Sequence, residues 1–207
     1  MKHLVFAVIF LTSAIMIQAQ DIKLPQPQKT GGVPLMETLN NRRSTREISE
    51  KPLSLQTLSD LLWAAAGVNR EDGRRTAPTA MNMQEIDIYV YTPEAVYLYF
   101  PAEHVMKHIL DGDYRDETFR QPFAKKAPVV LLFVANYQRM QRLDQQQKDF
   151  YGATDTGFIS QNVYLFCAQA GLNTVVLGMI DRDAAKNRLK FDGKAQLGQP
   201  VGYPISR

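Results

Sequence analysis

Three arginines stand close together in the segment NNRRSTREIS, residues 40–49, with hydroxyl side chains between them. Arg42, Ser44 and Arg46 alternate along the chain, so in an extended segment all three side chains would face the same side. A guanidinium group donates hydrogen bonds in a planar fork that suits a phosphate. The pattern therefore predicts an anion site, although a solvated basic turn would show the same local sequence.

A second candidate segment is APTAMNMQ, residues 77–84. Pro78 restricts the backbone there, and Thr79, Asn82 and Gln84 offer hydrogen-bond donors and acceptors. Such a loop could bind the polar edge of a small molecule. An ordinary polar connection between two elements would have the same composition.

A third candidate segment is VVLGM, residues 175–179. Gly178 follows an apolar run of strand type, and a glycine lets another group approach the backbone closely. A flat ring could stack there and accept a hydrogen bond from a backbone N–H group. A bulge or bend in the strand is the structural alternative.

Motifs for several other chemistries are absent from the sequence. It has no paired cysteines, no phosphate-binding loop ending in Gly-Lys-Ser/Thr, no G-x-G-x-x-G after a strand and no G-x-S-x-G elbow, and we predict no metal site. The single cysteine, Cys167, falls in an apolar helical pattern and is predicted to be a buried packing residue. An enzyme without these groups can obtain its chemistry from an organic cofactor.

The overall composition is that of one soluble globular domain. The chain has 207 residues, of which 45% are apolar and 22% are charged. Its formal net charge of +3 is small. A nucleic-acid-binding protein usually carries a larger and more clustered basic excess, so no nucleic-acid partner is predicted.

The N-terminus has the pattern of a secretory signal peptide. A short basic start precedes an apolar run from Leu4 to about Ile17, and Ala19 is a small residue where a signal peptidase could cut. We therefore expect residues 1–19 to be removed and the protein to be exported, most simply to a periplasm, without stable membrane insertion. An uncleaved membrane anchor is the alternative. Residues 20–35 are then an extended N-terminal arm, and residues 36–207 form the folded domain.

Hydrophobic periodicity predicts a mixed set of helices and strands. A capped helix should run from Ser54 to Gly67, a β-hairpin should join residues 86–91 and 96–100, and residues 128–136 should form a central strand covered on both faces. The other predicted elements are a short helix at 35–43, helical or irregular chain at 101–126, a solvated helix at 139–150, a buried helix at 155–171, a buried strand at 173–180, a surface helix at 181–191 and a last strand at 199–207. Because helices and strands do not alternate regularly, the order favours an α+β fold.

Taken together and in this order, the segments resemble the nitroreductase family of flavin enzymes. That family has an Arg-Arg-Ser-x-Arg motif, here residues 42–46, and a Pro-Ser-x-x-Asn-x-Gln loop, here residues 78–84 with Thr79 in place of Ser. The helix DTGFISQNVYLFCAQAGL and the closing VGYP are also similar to the family, and the resemblance covers residues 36–207. The segment VYLYFPAEH looks like the branch that contains the thiazoline and oxazoline oxidases.

The resemblance implies an α+β fold with a central, mostly antiparallel sheet flanked by helices, and an interlocked homodimer that binds FMN at two interface sites. One subunit would supply the arginine segment, and its partner would supply the loop that begins at Pro78. The cofactor-binding residues would be Arg42, Arg43, Ser44, Arg46, Pro78, Thr79, Ala80, Asn82, Gln84, Leu177, Gly178 and Arg207. Arg42 and Arg46 would neutralise the phosphate and the electron-rich edge of the flavin, whereas no side chain would act as a nucleophile.

The activity implied by the resemblance is a two-electron ping-pong reaction of FMN with a small-molecule electron donor and a small aromatic, nitro- or quinone-like acceptor. A non-catalytic member of the same fold that binds flavin or another small ligand is the alternative. The segment from His104 to Lys126 is expected to cap the site, where Tyr114, Phe119 and Phe123 would either stack on an acceptor or pack the cover itself.

Overall fold

The computed structural model describes residues 20–205. The predictions for the leader, residues 1–19, and for Arg207 therefore lie outside the described residues. The described strands are β1 Ile22–Lys23, β2 Ile86–Tyr91, β3 Ala95–Phe100, β4 Val105–Asp111, β5 Val129–Asn136, β6 Asn173–Thr174 and β7 Gly193–Gly202. The described helices are α1 Leu35–Asn41, α2 Leu55–Ala66, α3 Arg115–Thr118, α4 Pro122–Lys126, α5 Gln145–Ala170 and α6 Arg182–Leu189. Within residues 20–205, no helix is long and apolar enough to cross a membrane.

All seven strands join one sheet in the order β1-β4-β3-β2-β5-β7-β6. Each neighbouring pair is antiparallel, and β2 and β3 form the predicted hairpin. The prediction of an α+β fold with a mostly antiparallel sheet is confirmed.

Strand β5 is the predicted strand with two covered faces. Val129, Leu131, Phe133 and Ala135 point into the core cluster that includes residues of α2 and α5. The alternate residues Val130, Leu132 and Val134 point into a second cluster, formed with residues near α3, α4 and α6. Because side chains of a strand alternate between the two faces of a sheet, a continuous apolar run requires both faces to be buried.

The helix α2 agrees with its sequence signals. Ser54 accepts a hydrogen bond from the backbone N–H of Thr57, as an N-cap residue should, and Gly67 ends the helix. The buried face carries Leu58, Leu61 and Leu62, which pack against the sheet. The short helix α1 and the surface helix α6 are confirmed as well, although each is shorter than predicted.

The long helix α5 corrects two predictions. We expected a solvated helix at 139–150 and a separate buried helix from residue 155, but α5 runs without a break from Gln145 to Ala170. A capping box at Asp144 and Gln147 sets its start, and Gly171 ends it in the left-handed conformation with φ 66°. One face is buried, whereas Phe150 and Phe158 are exposed, so the helix is not buried on all sides.

Strand β4 corrects the prediction for residues 101–126. Val105–Asp111 is neither helical nor irregular but pairs with β3 on one side and with β1 of the N-terminal arm on the other. Its mixed sequence, VMKHILD, has no clear alternation of apolar and polar residues. The first part of the predicted cap is therefore part of the sheet.

The predicted buried strand at 173–180 is also wrong in extent. Only Asn173 and Thr174 pair with β7 as a strand, and Leu177 meets Gly198 as an isolated bridge in the same register. Between them, Pro200 has no N–H to donate, and the N–H of Val176 donates to a side chain instead. The last strand, by contrast, begins earlier than predicted, at Gly193 rather than at residue 199.

Candidate functional site

The arginine segment follows α1 and is fixed to the end of the sheet. Arg42 ends α1 in an extended conformation, and the N–H of Thr45 donates to the carbonyl of Thr174 over 2.9 Å. Ile48 pairs with Pro204, just beyond β7. The arginines are therefore held on ordered backbone beside β6 and the end of β7.

Tyr164 of α5 contacts several residues of this region. It was not among the residues predicted from the sequence. The backbone N–H of Val176 donates to its hydroxyl over 2.9 Å, and the hydroxyl lies 2.9 Å from Ser44 Oγ. The Arg42 guanidinium lies over the Tyr164 ring at 5.3 Å from its centroid. Arg42, Ser44 and the strand that leads to Gly178 are thus brought together by a single side chain.

A cavity of about 380 Å³ opens beside Tyr164, within the range of small-molecule sites. Arg42 and Arg43 line it, whereas Arg46 is exposed and does not line it. Among the described residues, none of these three arginines forms a salt bridge with an acidic side chain. Their charges are therefore available to an anion from outside the chain.

The turn at Leu177 and Gly178 directly follows Val176, whose N–H donates to Tyr164. Leu177 and Gly198 exchange two backbone hydrogen bonds of 2.7 and 2.9 Å, while Gly178 is exposed. Arg182 fixes the turn from behind, since its guanidinium donates to the carbonyls of Ala195 and Gln196 and lies 3.5 Å from that of Gly178. A rigid turn with an exposed glycine can accept the close approach of a flat ring.

The predicted cap meets this turn through its second part. The N–H of Arg120 donates to the carbonyl of Met179, and the N–H of Asp181 donates to that of Thr118. Phe119, however, is 2% exposed and packs edge-on against Tyr91, so it does not stack on an acceptor. Tyr114 and Phe123 also pack against the second core cluster.

The loop at residues 78–84 has an unusual backbone. Met81, Asn82 and Gln84 have φ of 51°, 54° and 51° in the left-handed region, which costs energy for residues other than glycine. The N–H of Gln84 donates to Thr79 Oγ1 over 2.9 Å, and the N–H of Ala80 donates to an Asp155 oxygen over 2.8 Å. Such strain persists only where surrounding contacts impose it, and it is frequent at functional sites.

The loop and the arginine segment do not meet within one chain. The loop is attached to α5 at Asp155, whereas the arginine segment contacts Tyr164, nine residues further along the helix. Nine residues correspond to about 13.5 Å of rise and about 180° of rotation, so the two groups lie on opposite faces of α5. Within one chain the two candidate segments are therefore separate.

Two histidines have a spacing that is common among metal ligands on a helix, but they lie at a strand. His104 precedes β4 and bonds to Ser59 and Tyr99, and His108 bonds to Asp111. Within residues 20–205, no group of three or more His, Cys, Asp or Glu side chains could hold a metal ion. Cys167 is buried, as predicted for a packing residue, and burial raises the pKa of its thiol well above the ordinary range.

Comparison with known proteins gives the same assignment from several directions. The family model "Nitroreductase family" matches residues 39–203. A protein of Methanocaldococcus jannaschii is 35% identical over 195 residues, which are 89% of this chain and 97% of that protein. A crystal structure from Ralstonia eutropha is 41% identical, with a TM-score of 0.87 over 91% of both chains. Each of these two proteins carries the description "putative nitroreductase".

A more distant structure shares the fold alone. A Staphylococcus epidermidis protein described as an NAD(P)H:FMN oxidoreductase is 14% identical, with a TM-score of 0.64 over 87% of this chain and 92% of its own. The match to the family model and the two closer relatives cover nearly the whole described chain, including all three candidate segments. The chain belongs to the nitroreductase family, whose members are flavin-dependent oxidoreductases.

Proposed function

We propose that the protein binds FMN and transfers two electrons between a small-molecule donor and a small aromatic, nitro- or quinone-like acceptor. The observation that carries the proposal is the cavity beside Tyr164. Arginines that form no salt bridge among the described residues line it, and Tyr164 ties it to Val176, two residues before the exposed Gly178. Bound FMN would supply reversible two-electron chemistry, which no side chain of this site provides.

The donor set fits the cofactor. Arg42 and Arg43 are placed to hold a phosphate, since guanidinium groups bind phosphate through two parallel hydrogen bonds. The flat backbone at Leu177 and Gly178 suits a ring, and a fixed positive charge near the ring stabilises the negative charge that it gains on reduction. The side chains would bind, orient and neutralise, and none is required as a nucleophile.

We also propose that the active form is a homodimer in which each FMN site combines the arginine segment of one subunit with the loop at residues 78–84 of its partner. The separation of these segments on opposite faces of α5 supports this arrangement. Large apolar side chains are exposed on α1, where Met36 is 76% exposed, and on α5, where Phe150 is 63% exposed. Exposed apolar surface of this kind is typical of subunit contacts.

The choice of electron donor depends on where the protein works. The description of the S. epidermidis protein names NAD(P)H and FMN together, and a nicotinamide donor is therefore the first to try. If residues 1–19 act as the signal peptide that the sequence predicts, the mature protein would work outside the cytoplasm. It would then require a donor that is present there.

The first test is the flavin content of the purified protein. We expect FMN to co-purify or to bind on incubation, with its fluorescence quenched, and we expect NADH or NADPH to bleach its absorbance under anaerobic conditions until a quinone is added. A protein that carries no FMN and takes up none on incubation would overturn the proposal. Binding without reduction by any donor tried would instead favour the non-catalytic alternative.

A further inference from the structure

Two carboxyl groups are buried where the loop at residues 78–84 meets α5. Glu85 follows the loop directly and is 0% exposed, and Asp155 of α5 is 2% exposed. The N–H of Ala80 donates to Asp155 Oδ2 over 2.8 Å, so one of the two groups holds the loop directly. The mechanism proposed above uses neither carboxyl group.

The cations near Glu85 are Arg139 and Arg75, and neither bonds to its carboxyl oxygens. Arg139 donates to Asp87 over 2.8 Å, and Asp87 also accepts a hydrogen bond from the Asn136 amide. Arg75 is the other cation near the Glu85 carboxyl group. Burial, first, and the charge of Arg139 lower its pKa, whereas the charges of Asp87, Tyr99 and Glu85 raise it, and a guanidinium group stays charged at neutral pH. Among the described residues, Glu85 forms no salt bridge.

An ionised Glu85 would therefore be a buried charge whose two oxygens accept no hydrogen bond from the described residues, which is costly. A neutral Glu85 has an O–H group to donate, and the Asp155 carboxyl is the acceptor with which its side chain interacts. Burial first, and the hydrogen bond with Asp155 second, raise the pKa of Glu85 to about 8. At neutral pH the two groups would then hold one proton and one negative charge between them.

We propose that Glu85 and Asp155 share one proton and that this singly protonated pair is a positioning device for the loop at residues 78–84. The importance of that loop for FMN rests on the function proposed above, whereas the carboxyl pair itself does not. Asp155 anchors the loop through Ala80, and three left-handed residues make the loop costly to hold in shape. A second negative charge on Glu85 would repel Asp155 and weaken this anchor.

The direction of the pH dependence follows from the proton balance. Because the pKa of Glu85 is raised from an ordinary value of 4.5 to about 8, the folded protein holds a proton on Glu85 that the unfolded chain has already lost over this interval. Stability contributed by this group is therefore lost as the pH rises from about 4.5 to about 8 and then stays level. FMN affinity should fall as the pH rises through about 8, because Glu85 then loses its proton to solvent.

The test compares the wild-type protein with Glu85→Gln, in which a neutral amide donates to Asp155 permanently. Glu94→Gln, which removes an exposed carboxylate from the β2–β3 turn, is the matched control. Thermal unfolding of the FMN-free proteins is followed between about pH 5 and pH 9, and the dissociation constant of FMN is measured by fluorescence quenching over the upper part of that range. We expect the Tm of the wild type and of the control to fall, relative to Glu85→Gln, as the pH rises. We expect FMN affinity to fall by up to about tenfold by pH 9 in these two proteins alone, the limit set by the loss of one proton whose pKa is about 8.

Two results would overturn the proposal. One is a difference in Tm between the wild type and Glu85→Gln that is constant across the pH range. The other is a carbon-13 NMR titration of the wild type in which Glu85 ionises near 4.5, a readout that remains valid if the variant does not fold. A protein that binds no FMN at any pH would refute the proposed function, while the unfolding and NMR data would still decide the carboxyl pair.

Discussion

At the scale of single residues, the candidate site depends on groups that make contacts the sequence does not display. Arg42, Ser44 and Gly178 could be selected from the sequence because their types and spacing suggest binding. Tyr164 and Arg182 could not, since tyrosine in an apolar helix and arginine in a surface helix have no distinctive local pattern. Their roles arise only when the fold brings residue 164 beside residue 44, a separation of 120 positions along the chain.

Arg42→Ala should weaken FMN binding. The substitution removes a charge-assisted contact to the phosphate, which corresponds to about 2 kcal/mol, or about thirtyfold in the dissociation constant. Arg42→Lys should recover only part of the loss, because an ammonium group lacks the planar fork. The dissociation constant from fluorescence quenching checks this. Arg142→Ala, at an exposed arginine in the turn before α5, is the control, and equal affinity in all variants would contradict the phosphate role.

Tyr164→Phe should separate the contribution of the Tyr164 ring from that of its hydroxyl. The ring that contacts Arg42 is kept, while the hydrogen bonds to Ser44 and Val176 are lost. We expect a loss of about 1–3 kcal/mol in the free energy of unfolding and weaker FMN binding. Chemical denaturation and a flavin titration measure the two effects. Tyr151→Phe on the same helix is the control, and unchanged FMN affinity in Tyr164→Phe would show that the hydroxyl does not organise the site.

At the scale of elements, the N-terminal arm does more than lead into the domain. Its strand β1 pairs with β4, and Ser59 of α2 donates to the arm at the carbonyl of Pro25. His104 Nε2 lies 2.7 Å from Ser59 Oγ, and its Nδ1 lies 2.9 Å from the Tyr99 hydroxyl. Because the Ser59 proton is committed to Pro25, Nε2 donates to Ser59 Oγ, and in the neutral ring Nδ1 accepts from the Tyr99 hydroxyl.

Acidification should therefore loosen this attachment. Burial lowers the pKa of His104 below its ordinary value, so the unfolded chain takes up a proton at a higher pH than the folded protein does. The stabilising contribution is present above about pH 6.5 and is lost as the pH falls below it. Thermal unfolding and limited proteolysis of the arm, each measured above and below about pH 6.5, check this. We expect His104→Gln to reduce the acid sensitivity and His108→Gln to leave it intact, and identical pH profiles of all three proteins would contradict the assignment.

The elements that the sequence predicted well are those whose signals are local. Ser54 caps α2, Gly171 ends α5, and the run PVVLLFVAN forms a doubly buried strand, each for a reason contained in a few neighbouring residues. Strand β4 was missed because its sequence has no clear alternation, although it pairs along its length with the neighbouring β3; its second partner, β1, is more than 80 residues away. The strand at residues 173–174 is short for a similar reason. Pro200 has no N–H to donate and the N–H of Val176 donates to Tyr164, so the pairing with β7 stops although the β-branched residues continue.

At the scale of the whole molecule, the candidate site residues of one chain form two groups attached to opposite faces of α5. One group contains the arginine segment, Tyr164 and the Gly178 turn. The other is the strained loop from Pro78 to Gln84. Each group is held by ordered contacts within the chain. We propose that each FMN site combines one group of residues with the other group of a partner chain, so that FMN binding and dimerisation are linked.

A heterodimer of Arg42→Ala with Asn82→Ala tests that claim most directly. Two affinity tags on co-expressed chains allow the heterodimer to be isolated from both homodimers, and its FMN content is then titrated. If each site combines two chains, both homodimers should bind FMN weakly, while the heterodimer should recover one site of wild-type affinity, built from the intact Arg42 of one chain and the intact Asn82 of the other. If the heterodimer shows no site stronger than those of the homodimers, the shared-site account is wrong.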